Sequence, residues 1–136
     1  MAAIEAPRWF KDTMEAPCED RWVDVSGAKI HYLYFSRDEA LPGLVLVHGN
    51  GALAHFGRFI APCFLSHYRV AALDLSGMGD SDHRERYAPE LFAEEVISVA
   101  RDAGFGSDAI VVGHSFGGFV TIQTAIRYGD ELTGVV

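Results

Sequence analysis

The segment Gly113-His114-Ser115-Phe116-Gly117-Gly118 sets one hydroxyl among small residues, directly after the apolar run Ala109-Ile110-Val111-Val112 and directly before a helical pattern. A G-x-S-x-G turn between a strand and a helix bends the backbone so sharply that the side chain at its apex projects above the edge of the sheet. Small flanking residues leave room for the strand and helix to approach it. The helix that follows aims its free amide groups and positive dipole end at the same point, where a developing oxyanion is stabilised. The implied chemistry is attack by Ser115 on an acyl carbonyl. A glycine-rich turn with no chemical role is the plain alternative, and the strand and helix on either side weigh against it.

Two further segments stand upstream. His48-Gly49-Asn50-Gly51-Ala52 follows the continuous apolar run Gly43-Leu44-Val45-Leu46-Val47, and Asp74-Leu75-Ser76-Gly77-Met78-Gly79-Asp80-Ser81 follows Arg69-Val70-Ala71-Ala72-Leu73. In this order the three segments resemble the α/β-hydrolase family over residues 21–136, with residues 1–20 as an N-terminal extension. The resemblance implies a serine hydrolase acting on esters or related acyl bonds. Ser115 is then the nucleophile, and the backbone amides of Asn50 and Phe116 form the oxyanion hole. It gives Asp74 and Ser81 structural roles and calls for no cofactor and no metal. Amides, thioesters and carbon-carbon bonds in diketones are cleaved by family members with the same turn, so the bond type stays open. Serine at this position argues against the family's dehalogenases and epoxide hydrolases, which use aspartate there.

A serine hydroxyl needs a base, and in this family an acid and then a histidine follow the nucleophile. After Ser115 the sequence has no histidine, and its only acids are Asp130 and Glu131. His114 adjoins the nucleophile but points elsewhere in a sharp turn, and His55, His67 and His83 read as surface or loop residues. The expectation is the N-terminal portion of a single domain with its C-terminal portion absent, inactive alone and prone to self-association through an unpaired sheet edge.

Two other readings compete. Gly49-Asn50-Gly51-Ala52-Leu53-Ala54 also fits G-x-G-x-x-A after a strand, with Asp74 ending the next strand, as in an NAD-binding Rossmann domain. The hairpin ahead of that strand and the unexplained serine turn count against it. A noncatalytic binding domain that retains a hydrolase-like pocket is the second.

The elements that must position these residues follow from periodicity. Alternation over Arg21–Val25 and Ile30–Phe35 around Ser26-Gly27 predicts a hairpin. Gly43–Val47, Arg69–Asp74 and Ala109–Val112 predict buried strands, and Gly134–Val136 a further short one. Phe56, Phe59, Ile60, Cys63 and Phe64 predict a helix with that face inward and Cys63 in the core, complicated by Pro62. Pro89 opens a helix whose buried face holds Phe92, Val96, Val99 and Ala103, and Phe119, Ile122 and Ile126 predict the stripe of the last helix. The fold class is α/β: a mostly parallel sheet with helices on both faces.

The 136 residues are 49% hydrophobic, enough for a packed core, and carry a formal charge of −8. Such a surface disfavours nucleic acid and anionic membranes, so a small ester-like molecule is the expected partner. No uncharged apolar run approaches the roughly 18 residues that span a bilayer. Residues 1–20 lack the unbroken apolar core of a signal peptide, and a cytoplasmic location is expected. The two cysteines, Cys18 and Cys63, show no CxxC spacing and suggest neither a disulfide nor a zinc site.

Overall fold

The computed structural model describes residues 4–136, so the first three residues of the 1–20 segment lie outside it. The chain begins with helix α1 (Arg8–Met14) and then a hairpin, β1 (Glu19–Val25) and β2 (Ala28–Phe35). Ser26 and Gly27 both take positive φ, 45° and 82°, the pair of left-handed residues that lets a two-residue turn match the twist of its strands. The expected hairpin is therefore present, with β1 starting two residues earlier.

The rest alternates: β3 (Gly43–Val47), α2 (Ala54–Arg58), α3 (Ala61–Phe64), β4 (Arg69–Leu73), α4 (Pro89–Asp102), β5 (Ile110–Gly113), α5 (Phe116–Tyr128) and β6 (Gly134–Val135). Sheet order is β1-β2-β4-β3-β5-β6. The pairs β3–β4, β3–β5 and β5–β6 are parallel, and β2 runs antiparallel to both its neighbours. Beyond β3 the chain moves to one side to make β4 and then returns to the other to make β5. Strand order reverses at the carboxyl end of β3, which is where open α/β sheets bind their ligands.

Each face of the sheet carries its own core. On one, Val45, Val47, Leu73 and Val111 meet Val96, Val99 and Val120 from α4 and α5. On the other, Leu44, Leu46, Val70 and Ala72 meet Ala54, Ala61 and Leu65. The α4 stripe lies inward as expected, with Phe92, Val96, Val99 and Ala103 all buried.

Two other stripes are reversed. Phe56, Ile60 and Phe64 are exposed, and so is Cys63, which is not a core residue. The small residues Ala54, Gly57 and Ala61 face the sheet instead, and a Cβ at Gly57 would lie 2.8 Å from that of Ala72. Pro62 sits in the first turn of α3 and divides the expected helix in two. In α5, Phe119, Ile122 and Ile126 are exposed, while Gly117, Val120, Thr121 and Thr124 are buried. Close approach of helix to sheet selects small side chains, and hydrophobicity alone points to the opposite face.

Residues ahead of β1 are tied to α2: Arg58 donates to the carbonyls of Met14 (2.9 Å) and Ala16 (3.1 Å). Phe10 stacks on Phe59. No described helix is long and apolar enough to cross a membrane.

Candidate active site

Ser115 stands two residues beyond the end of β5 and directly before the first residue of α5, with φ 57° and ψ −117°. For a residue with a Cβ this is a strained left-handed conformation, held only because the surroundings determine it. Two glycines make the bend possible. A Cβ on Gly113 would lie 2.2 Å from the carbonyl oxygen of Gly117, and one on Gly117 would lie 2.2 Å from that of Val47. The start of α5 is thus pressed against the ends of β5 and β3 at once, and Ser115 is left exposed at the top.

The loop after β3 reaches the same place. His114 N–H donates to Val47 O (3.1 Å), and a Cβ at Gly49 would lie 3.4 Å from that of Ser115. Asn50 follows, exposed, and Phe116 is the first residue of α5 with a half-buried side chain. Among the described residues, neither the Asn50 amide nor the Phe116 amide donates to a protein acceptor. The three residues singled out from the sequence, Ser115, Asn50 and Phe116, therefore come from two loops that meet at the strand-order reversal.

Aromatic packing fixes Phe116. Its ring meets Phe92 of α4 edge-on at 5.4 Å and stacks on Phe119 at 6.0 Å. On the α2 side of the same strand ends a cleft of about 80 Å³ opens between Val112, Gly113 and His114 and the facing Leu53, Phe56 and Ile60. Its walls do not include Ser115.

Behind the loops lies a polar layer that sequence reasoning missed in part. Buried His48 donates from Nδ1 to Gly49 O (2.8 Å), and its Nε2 accepts from Leu75 N–H (3.1 Å), so one ring pins the loop after β3 to the loop after β4. Asp74, 1% exposed, accepts from the amides of Ala54 (2.5 Å) and Asp80 (3.0 Å) and from His31 Nδ1 (2.7 Å). Ser81 Oγ donates to Asp74 O (2.6 Å) and accepts from His31 N–H (2.8 Å). Burial pulls the Asp74 pKa upward, but the His31 bond and then the Ala54 and Asp80 amides outweigh it and hold the carboxyl below its ordinary range. Asp74 and Ser81 thus brace the loops. His31 carried no sequence signal, because its partners Asp74 and Asp20 lie 43 and 11 residues away.

The same geometry removes the dinucleotide reading. A pyrophosphate would need the free N-terminus of the helix after β3, and the carboxylate of Asp74 already takes the first amide of α2. Asp74, buried with its oxygens engaged, is also closed to a ribose hydroxyl.

No described histidine is placed as a base for Ser115. Both ring nitrogens of His31 and both of His48 are engaged elsewhere, and His67 Nδ1 lies 2.7 Å from Ser66 Oγ. His114 stacks against Phe56 at 6.0 Å, and His55, His67 and His83 are exposed.

Comparison with known proteins agrees with this architecture. Human epoxide hydrolase 4 is 31% identical over 114 residues, covering 82% of this chain and 31% of its own length. Epoxide hydrolase A from Mycobacterium thermoresistibile superposes with a TM-score of 0.79 at 26% identity over 88% of this chain and 38% of that one. An esterase from Rhodococcus sp. ECU1013 superposes with a TM-score of 0.76 at 29% identity over 87% of this chain and 44% of that one. The chain thus spans about a third of the length of the curated relatives it matches. A sequence model of the alpha/beta hydrolase fold matches residues 42–136, and with the sheet order and the turn at Ser115 this places the chain in the alpha/beta hydrolase family.

Proposed function

We propose that Ser115 is the nucleophile of a serine hydrolase acting on esters or related acyl bonds. The observation that carries this reading is the strained backbone at Ser115, wedged between β5 and α5 and in contact distance of the loop after β3. Strain at an exposed hydroxyl beside two loops with uncommitted amides suits the task of presenting a nucleophile, whereas Ser26, also at positive φ, serves a hairpin turn and donates to Glu94. In the proposed reaction Ser115 Oγ attacks the acyl carbon as its proton passes to a base. The carbonyl oxygen becomes an oxyanion held by the amides of Asn50 and Phe116, the alcohol leaves with a proton, and water then cleaves the acyl-enzyme.

Several relatives are named epoxide hydrolases, yet the element at the apex here is a hydroxyl. Opening an epoxide with a serine oxygen would leave an ether, which water does not hydrolyse under such conditions. A carboxylate nucleophile would leave an ester, which water does hydrolyse. Acyl substrates therefore match Ser115, and epoxides do not.

Because no described histidine serves Ser115, the base and its acid partner must come from polypeptide other than these 136 residues. The purified chain is accordingly proposed to turn over p-nitrophenyl acetate no faster than its Ser115→Ala variant. The direct test is a fluorophosphonate probe applied to extracts of the source organism, followed by peptide mapping. The adduct is expected on the peptide containing Ser115. A protein that binds acyl ligands while Ser115 stays unlabelled would replace the enzyme with a noncatalytic binding domain.

A further inference from the structure

His31 lies in the middle of β2 and is 0% exposed, a setting in which an imidazole is ordinarily neutral. Its neighbours favour the charged ring instead. Nδ1 is 2.7 Å from Asp74 Oδ2 and Nε2 is 2.9 Å from Asp20 Oδ1. A neutral ring has one bare nitrogen, whose lone pair would then point at a carboxylate oxygen under 3 Å away. Only the imidazolium donates on both sides. A third carboxylate, Asp80, has an oxygen within 4.8 Å of the His31 and Asp74 atoms, and the Trp22 ring lies 4.8 Å from the imidazole. The facing charged groups are thus Asp20 from β1 and Asp74 and Asp80 from the segment after β4. Arg69 of β4 is turned toward the carbonyls of Leu41 and Gly104, and His55 of α2 is exposed.

Asp74 passes this charge onward. Its other oxygen accepts the amide of Ala54, the first residue of α2, and so closes the loop that begins at His48 and carries Asn50. We propose that His31 is a positioning residue: as a buried imidazolium it holds the Asp74 carboxylate against the first turn of α2, and so sets the path of the loop that brings Asn50 to Ser115. The use of that loop rests on the hydrolase reading; the link from His31 through Asp74 to Ala54 does not. When His31 loses its proton, a lone pair faces Asp74, and the oxygen turned toward β2 keeps only the Asp80 amide of its two donors.

The test is a pH titration by NMR of the ¹⁵N-labelled protein. Both ring nitrogens of His31 are expected to be protonated at neutral pH. On raising the pH, the Ala54 amide is expected to shift with the same midpoint as the ring, while the amides of β3 and β5 stay in place. Asp20→Asn leaves the buried ring and Asp74 intact and should lower both midpoints together by roughly one pH unit, the loss of one close opposite charge. A bare ring nitrogen at neutral pH, an Ala54 amide indifferent to the His31 midpoint, or an unchanged midpoint in Asp20→Asn overturns the proposal. Probe labelling of Ser115 is scored separately, in the extracts and not in the purified chain, so a failed hydrolase reading leaves the titration result standing on its own.

Discussion

The residues that matter here divide by how far apart their partners lie. Ser115, its two glycines and the Phe116 amide are contiguous, and a sharp turn between apolar strand and helix announces itself within six letters of sequence. The loop carrying Asn50 was legible as a glycine-rich turn at a strand end, and the use of the Asn50 amide came from the family resemblance and remains a proposal. The His31, Asp74 and Asp20 cluster was not, because three ordinary polar residues acquire meaning only when β1, β2 and the end of β4 are brought together. That cluster contributes to the pH dependence of stability. Burial lowers the His31 pKa, but the bonds to Asp74 and then Asp20 more than reverse this, so the folded value lies above the ordinary 6.5. Stability gained from His31 is complete below that ordinary value and is lost as pH rises through the raised one. Asp74 behaves oppositely: its contribution is present above the ordinary carboxylate pKa of 3.8 and fades as pH falls through its lowered value. Urea midpoints measured from pH 4 to pH 10 should therefore fall on the alkaline side, and Asp20→Asn should begin that fall at lower pH.

Strands were read from sequence more faithfully than helix faces. A run such as Gly43–Val47, buried on both sides, leaves little choice of orientation. A short helix offers two interleaved faces, and in α2, α3 and α5 the bulkier one is turned outward, because the sheet accepts only small residues at close range. Paired substitutions test this arrangement. Val120, 0% exposed, should lose about 2 kcal/mol on change to Ala, from the buried methyl groups and the space they leave. Ile126, 70% exposed, should change stability by no more than about 0.5 kcal/mol on change to Ser. Equal costs at the two positions in chemical denaturation would mean that α5 packs by its other face. The α4 face was legible throughout because Phe92, Val96 and Val99 are large, regularly spaced and inward, and Pro89 and Glu90 mark its start.

Across the whole molecule, apolar side chains lie exposed on helices on both faces of the sheet. Phe119, Ile122 and Ile126 lie exposed on α5, which packs beside β6 at the end of the sheet, and Phe56, Ile60 and Phe64 lie exposed on α2 and α3, which pack on the other face over β4. A strand edge flanked by uncovered apolar helices favours association, and sedimentation of the purified chain should show species that grow with concentration. Val135→Lys, placing a charge on β6, should reduce them. The proposed site, at the carboxyl ends of β3 and β5, does not include β6. There, one strained hydroxyl and two backbone amides from separate loops are proposed to converge on the substrate oxygen. The decisive measurement is a crystal structure of the probe-labelled protein isolated from those extracts, with the polypeptide that supplies the base. The phosphoryl oxygen is predicted to lie about 3 Å from the amide nitrogens of both Asn50 and Phe116. An adduct oxygen directed into solvent, or a residue 115 with ordinary helical or extended φ, would contradict the account.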